Sequence, residues 1–222
     1  MRILITGGTG LIGTPLVQAL IARKYQVVVL SRSPQKVYSR FCSAAENLSS
    51  LSEITHLNDI DAVINLAGEP IADKRWSEEQ KKLLCESRWQ ITERLSELIN
   101  ASETPPAVFL SGSAVGWYGD QGQTVVTEDD EPNPEFTHTL CDRWESLAMK
   151  AQSEKPASVC CAPGLCSLRK AGYWQNCCRP TARVSADLLV TVVSICRGSI
   201  SMTWSAPFCF CSMTPRRTAR SI

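Results

Sequence analysis

No run of eighteen apolar residues occurs in this 222-residue sequence, so no membrane-spanning helix is expected. The N-terminal MRILIT runs straight into a glycine loop, too soon for the apolar stretch and small-residue cleavage site of a secretory leader. The sequence reads as cytoplasmic. Histidine is scarce, with only His56 and His138 present. Neither has a partner at metal-ligand spacing, so both read as surface residues and no metal is expected. Net charge is also nearly missing: the formal balance of +1 points to neither an acidic nor a basic partner.

That balance conceals a division. Residues 1–156 carry 15 Lys+Arg against 21 Asp+Glu, whereas residues 157–222 carry 8 Lys+Arg against a single acid, Asp187. Eight of the 11 cysteines fall in the second part. We therefore read 1–156 as one nucleotide-binding domain and 157–222 as a segment of different origin.

The first part alternates strand and helix signals. RILIT, Arg2 to Thr6, is a short apolar run suited to a buried parallel strand. TGGTGLIG follows, with Gly7, Gly10 and Gly13 at G-x-x-G-x-x-G spacing. Thr14 to Lys24 places Leu16, Val17, Leu20 and Ile21 on one helical face, and QVVVL, Gln26 to Leu30, is a second strand. Strand, glycine turn, helix and strand are the setting a dinucleotide fingerprint requires. Glycines let backbone approach a pyrophosphate, and the helix N-terminus offers free N–H groups. Gly7, Thr9, Gly10, Leu11, Ile12 and Gly13 are thus expected at a cofactor.

The second strand ends in Ser31-Arg32-Ser33. An acidic residue there would hold a ribose 2′-hydroxyl, whereas arginine suits a 2′-phosphate. We expect NADP(H), with Ser31 and Arg32 at the phosphate. DAVINLAG, Asp61 to Gly68, reads as a further strand running into a small-residue turn, so Leu66, Ala67 and Gly68 are expected against the cofactor. Ser77-x-x-Gln80 is a capping-box pattern opening a helix over about Glu78 to Asn100, with Leu83, Leu84, Ile91, Leu95 and Leu98 as its buried stripe. Trp76 and Trp89 read as packing residues. AVFLS, Ala107 to Ser111, is the next strand and leads into GSAVGWYGD. This alternation predicts a doubly wound parallel sheet of Rossmann type, with ligands at the carboxyl ends of its strands. Ser111, Ser113 and Tyr118 fall there. Ser111 is expected at the cofactor, and Ser113 and Tyr118 are placed for chemistry.

TGGTGLIG, DAVINLAGEPI, KRWSEEQKKLLCESRWQIT, SGSAVGWYGD and CDRWESLAMKA occur in that order. With these segments the sequence resembles the extended short-chain dehydrogenase/reductase superfamily, and within it the YfcH-type epimerase group, over about residues 1–156. The resemblance implies a small-molecule substrate and hydride transfer by nicotinamide. It also implies proton transfer by a tyrosine whose pKa a lysine lowers, and Ser113 as the substrate-orienting serine. The superfamily's Y-x-x-x-K is missing. Cys141 and Glu145 stand at its spacing, and Tyr118 is either a substitute acid/base or a packed aromatic. Candidate catalytic residues are therefore Ser113, Tyr118, Cys141 and Glu145, although a small buried role is the simpler reading of Cys141. A cofactor-binding regulator without catalysis is the alternative function.

The second part lacks what zinc or disulfide frameworks need. Cys160-Cys161 and Cys177-Cys178 frame a lone Cys166, without histidine and without C-x-x-C spacing. The resemblance instead implies a continuation through L-R-x-G and W-I-H segments. Reading VTVVSICRGSISMTWSAPFCFC, Val190 to Cys211, one base out of register with plausible codons yields approximately GDGRQYMPWIH, then AILFLL. Leucine-rich coding read out of frame gives cysteines readily. We read the chain as frameshifted between about Lys150 and Ser158. The expected consequences are a truncated sheet with an exposed edge, a disordered basic tail without specific nucleic-acid binding, and impaired activity.

Overall fold

The computed structural model describes residues 1–126, 130–151 and 158–161. Its core is a six-stranded sheet in the order β3-β2-β1-β4-β5-β6, every pair parallel. In chain order the elements are β1 (Arg2–Thr6), α1 (Gly13–Ala22), β2 (Gln26–Leu30), α2 (Pro34–Phe41), β3 (Ala45–Leu48), β4 (Ala62–Asn65), α3 (Glu78–Asn100), β5 (Val108–Ser111), α4 (Phe136–Met149) and β6 (Ser158–Cys161). The strand order reverses between β1 and β4. In open α/β sheets the ligand crevice lies at that switch point, beyond the carboxyl ends of the strands.

β1, β2, β4 and β5 are buried on both faces, which explains their apolar readings. Ile3, Ile5, Val27, Val29 and Ile64 face Leu16, Val17 and Leu20 of α1 and Val37 and Phe41 of α2. The alternate residues Leu4, Val28, Val63 and Phe109 face Leu95, Leu98 and Ile99 of α3 and Ala148 of α4. A third cluster, Leu84, Cys85, Trp117, Tyr118, Leu140, Cys141 and Trp144, joins α3 and α4 beside the crevice. No helix of the described residues is long and apolar enough to cross a membrane.

The doubly wound sheet is the architecture the pattern predicts. The α3 limits coincide with the predicted ones, and the Ser77 hydroxyl accepts from the Gln80 N–H at 3.3 Å. Three readings need correction. Leu83 is 42 % exposed, because the buried stripe of α3 runs through Leu84, one helical step of about 100° away. α2 and β3 were not anticipated: PQKVYSRF and AENL are short and polar, and only Val37, Phe41 and Ala45 are buried. His138 is half-buried, with Nδ1 2.7 Å from the Trp117 carbonyl and its ring edge-on to the Trp117 ring. β6 lies just past residue 156. Ser158–Cys161 pairs in parallel with Val108–Ser111, since an open β5 edge offers a row of unpaired backbone groups to any extended segment. The expectations for 162–222 lie outside the described residues.

Candidate functional site

Two glycines fix the cradle at the switch point. Gly7 has φ +67°, and a Cβ there would stand 2.5 Å from the Leu66 carbonyl oxygen. A Cβ on Gly13 would stand 2.2 Å from the Gly7 carbonyl oxygen. No side chain is tolerated at either, so the loop after β1 folds tightly on itself and against the turn after β4. Gly10 N–H donates to the Gly7 carbonyl at 3.0 Å, and Thr14 N–H donates to the Gly10 carbonyl at 3.0 Å. α1 has Ile12 at its N-cap and no side-chain cap. The first-turn N–H groups therefore lack the side-chain partner that most helix starts provide. Thr9 is half-buried in the loop, and Leu11 and Gly10 are exposed at its rim.

Leu66, Ala67 and Gly68 form the opposing wall. Their amides are partly spent: Thr6 Oγ1 accepts from Leu66 N–H at 3.1 Å and from Ala67 N–H at 3.0 Å. This wall offers surface and carbonyls more than donors. Beneath it lies a buried polar knot. Thr6 Oγ1 donates to Asn65 Oδ1 at 2.6 Å, and Asn65 Nδ2 donates to Thr92 Oγ1 at 2.8 Å and Ser111 Oγ at 3.2 Å. Ser111 is fully buried in this knot. Its hydroxyl braces β4 against β5.

At the far end of β2, Ser31 Oγ accepts from Ser33 N–H at 3.2 Å and shapes the turn that carries Arg32. Arg32 is exposed. The sequence reading missed Arg40. From the last turn of α2 its Nη1 donates to Thr14 Oγ1 at 2.9 Å, which sets a second cation beside the start of α1. Its signal was weak, because α2 itself was not anticipated.

The chemistry-bearing residues meet where β5 ends. Ser113, buried, donates its hydroxyl to Oε1 of Glu145 on α4. Cys141, one turn earlier on α4, is also buried. Burial first, then the Glu145 charge, push its thiol up to about 12, against the opposing pull of the Arg88 cation. It is a neutral thiol near neutral pH, which supports the packing role over a catalytic one. Tyr118 lies in the short 3-10 turn Val115–Tyr118, buried and edge-on to Trp117. The geometry thus joins Ser113 to Glu145 and gives Tyr118 and Cys141 to the apolar cluster. Trp89 donates to the Leu140 carbonyl at 3.1 Å, and Trp76 packs edge-on to Phe136 while staying 41 % exposed. Among the described residues no group of three His, Cys, Asp or Glu is placed to hold a metal ion.

The residues present fit a dinucleotide. The loop admits no side chain at two points, the helix start above it is uncapped, and exposed arginine stands at the end of β2.

Comparison with known proteins agrees with this geometry. The sequence profile of the NAD dependent epimerase/dehydratase family matches residues 3–143. An epimerase family protein from the chloroplast of Arabidopsis thaliana, the SDR39U1 homolog, is 36% identical over 160 residues, covering 69% of this chain and 46% of that protein. The crystal structure of human epimerase family protein SDR39U1 with NADPH superposes with a TM-score of 0.57 at 32% identity, over 67% of this chain and 48% of that one. UDP-glucuronic acid 4-epimerase from Bacillus cereus, in complex with NAD, shares the fold with a TM-score of 0.56 at 24% identity, over 72% of this chain and 55% of that one. The chain spans about half the length of these relatives.

Proposed function

The chain belongs to the NAD dependent epimerase/dehydratase family, and on that premise we propose that it binds NADP(H) and acts as an epimerase or oxidoreductase on a small hydroxyl- or carbonyl-bearing molecule. The observation that carries the reading is the cradle of Gly7 and Gly13 against Leu66, facing the uncapped start of α1. Arg32 selects the 2′-phosphate, and the human relative crystallised with NADPH supports that choice. Gly7, Thr9, Gly10, Leu11, Ile12 and Gly13 would hold the pyrophosphate, with Leu66, Ala67 and Gly68 as the facing wall. When bound, the nicotinamide supplies hydride transfer to or from a substrate carbon.

This chain's own part is the proton. The tyrosine–lysine pair of the superfamily is absent from α4, and the Cys141 thiol is held neutral by burial. Ser113 and Glu145 are the pair in contact. A substrate hydroxyl donates to Ser113 Oγ; as its proton moves to that oxygen, the Ser113 proton passes to the Glu145 carboxylate. The reverse sequence protonates a carbonyl oxygen. A carboxylate acting through a hydroxyl meets the requirement that an acid/base lie within hydrogen-bond reach of the proton it moves.

Absorbance at 340 nm tests this across a panel of aldehydes and sugars. Ser113→Ala and Glu145→Gln should each lower turnover about a hundredfold while leaving NADPH affinity unchanged. NADPH binding without turnover on any of the panel, or turnover indifferent to both variants, would count against the Ser113–Glu145 route.

The wrong-register reading of the residues beyond about 156 belongs to the same proposal. It is supported by the change in composition there and by a family match that ends at residue 143. Resequencing the coding DNA from about codon 145 tests it: restoration of L-R-x-G and W-I-H in the corrected frame supports it, and an unchanged frame overturns it.

A further inference from the structure

Arg88 occupies the buried side of α3, one turn before Thr92 and one after Leu84. Its Nη1 donates to the Leu84 carbonyl at 2.9 Å and its Nη2 to the Glu69 carbonyl at 2.9 Å. The guanidinium lies so close to Gly68 that a Cβ there would stand 2.8 Å from its Cζ. Its other side faces the Trp144 ring, with Cζ 5.4 Å from the centroid. That ring in turn covers Gly112, the residue before Ser113, where a Cβ would stand 3.1 Å from it. Arg88 therefore bridges the ends of β4 and β5 at the edge of the crevice that holds Ser113.

Its company is unusual for a cation. Among the described residues it forms no ion pair: the nearby Glu69 carboxylate is taken by Lys74 at 3.2 Å. Burial pulls its pKa down from the ordinary arginine value, opposed by the Glu69 charge nearby. A charge removed from water normally finds a counter-charge, yet this one has neutral carbonyls. Two of its five N–H groups are used by those carbonyls, and a third makes only a long contact of 3.5 Å with Ser87 Oγ. The Trp144 ring that faces it has its Nε1 buried with no hydrogen-bond partner among the described residues. A packing clamp needs no spare donors; an anion site does.

We propose that Arg88, backed by the Trp144 ring, forms an anion-recognition corner of the substrate site, and that the substrate carries a carboxylate near its reacting hydroxyl or carbonyl carbon. This rests on the crevice being a substrate site, as proposed above. A carboxylate is favoured over a phosphate because it is a planar monoanion. It matches the fork of one guanidinium, whereas a phosphate dianion would leave a negative charge unbalanced there.

The probe is glycolate, with glycolamide as its neutral isostere, titrated calorimetrically into the full chain with and without saturating NADPH. Wild type should bind glycolate at least tenfold more tightly than glycolamide, and Arg88→Met should abolish the difference while Arg88→Lys keeps part of it. Far-UV circular dichroism should be the same in all three proteins, which reports that the variants are folded. Equal binding of glycolate and glycolamide by wild type overturns the proposal without any variant, as does a preference that survives in folded Arg88→Met. Absence of NADPH binding in wild type sinks the cofactor reading instead, and the glycolate comparison without cofactor is then read on its own.

Discussion

Thr6 donates its hydroxyl to Asn65 Oδ1 at 2.6 Å, which ties the carboxyl ends of β1 and β4 together at the point where the strand order reverses. The same hydroxyl accepts the amides of Leu66 and Ala67. One buried contact thus sets both the sheet register at the switch point and the wall of the proposed cofactor crevice. Asn65→Ala would remove the acceptor of the Thr6 hydroxyl and the donor to the Thr92 and Ser111 hydroxyls in a dry interior. A loss of about 2–3 kcal/mol is expected, read as a lower urea midpoint at unchanged slope.

Gly13→Ala makes a sharper demand on the loop. Its Cβ would meet a backbone oxygen at 2.2 Å, and backbone cannot rotate out of the way as a side chain can. The variant should lose NADPH binding by at least about tenfold while the sheet survives, as checked by fluorescence titration alongside far-UV circular dichroism.

Cys141 gives the alkaline behaviour a sign. Its thiol titrates at about 12 in the folded protein against an ordinary value of 9.0. The folded state therefore holds that proton more tightly than the unfolded one, and the resulting stability is complete below pH 9 and lost as pH rises toward 12. The stability difference between wild type and Cys141→Ala should shrink across that window. Denaturant midpoints at pH 8, 9.5 and 11 measure it, and a constant difference would show that the thiol does not titrate there.

Cys42 closes α2 with φ 52° and ψ −135°, a backbone that only glycine adopts without strain. Its side chain is exposed. Cys42→Gly should therefore raise stability by about 1 kcal/mol, visible as a higher urea midpoint; a lower midpoint would place the side chain in a contact worth more than the strain.

Much of this was legible in the residues. Buried parallel strands announce themselves as apolar runs, so RILIT, QVVVL and AVFLS read correctly, and the capping pattern at Ser77 located the start of α3. The glycine spacing located the cradle. What escaped was set by tertiary contact. The polarity of PQKVYSRF hid α2, and with it Arg40. Ser111 sits at the end of a strand, where nothing local shows that its hydroxyl braces β4 against β5 through Asn65. Arg88 left a sharper trace: a cation in register with Leu84 and Thr92 on the buried side of a helix. The pairing of Ser113 with Glu145 spans thirty-two positions and had no local signal.

The central claim is that the switch-point crevice binds NADP(H), with Arg32 reading its 2′-phosphate. Titration of wild type and Arg32→Asp with NADPH and with NADH tests it most directly. Reversing a charge that makes charge-assisted hydrogen bonds should weaken NADPH by about tenfold or more while leaving NADH nearly unchanged. Equal change in both affinities, or wild type that binds neither cofactor, would contradict the account.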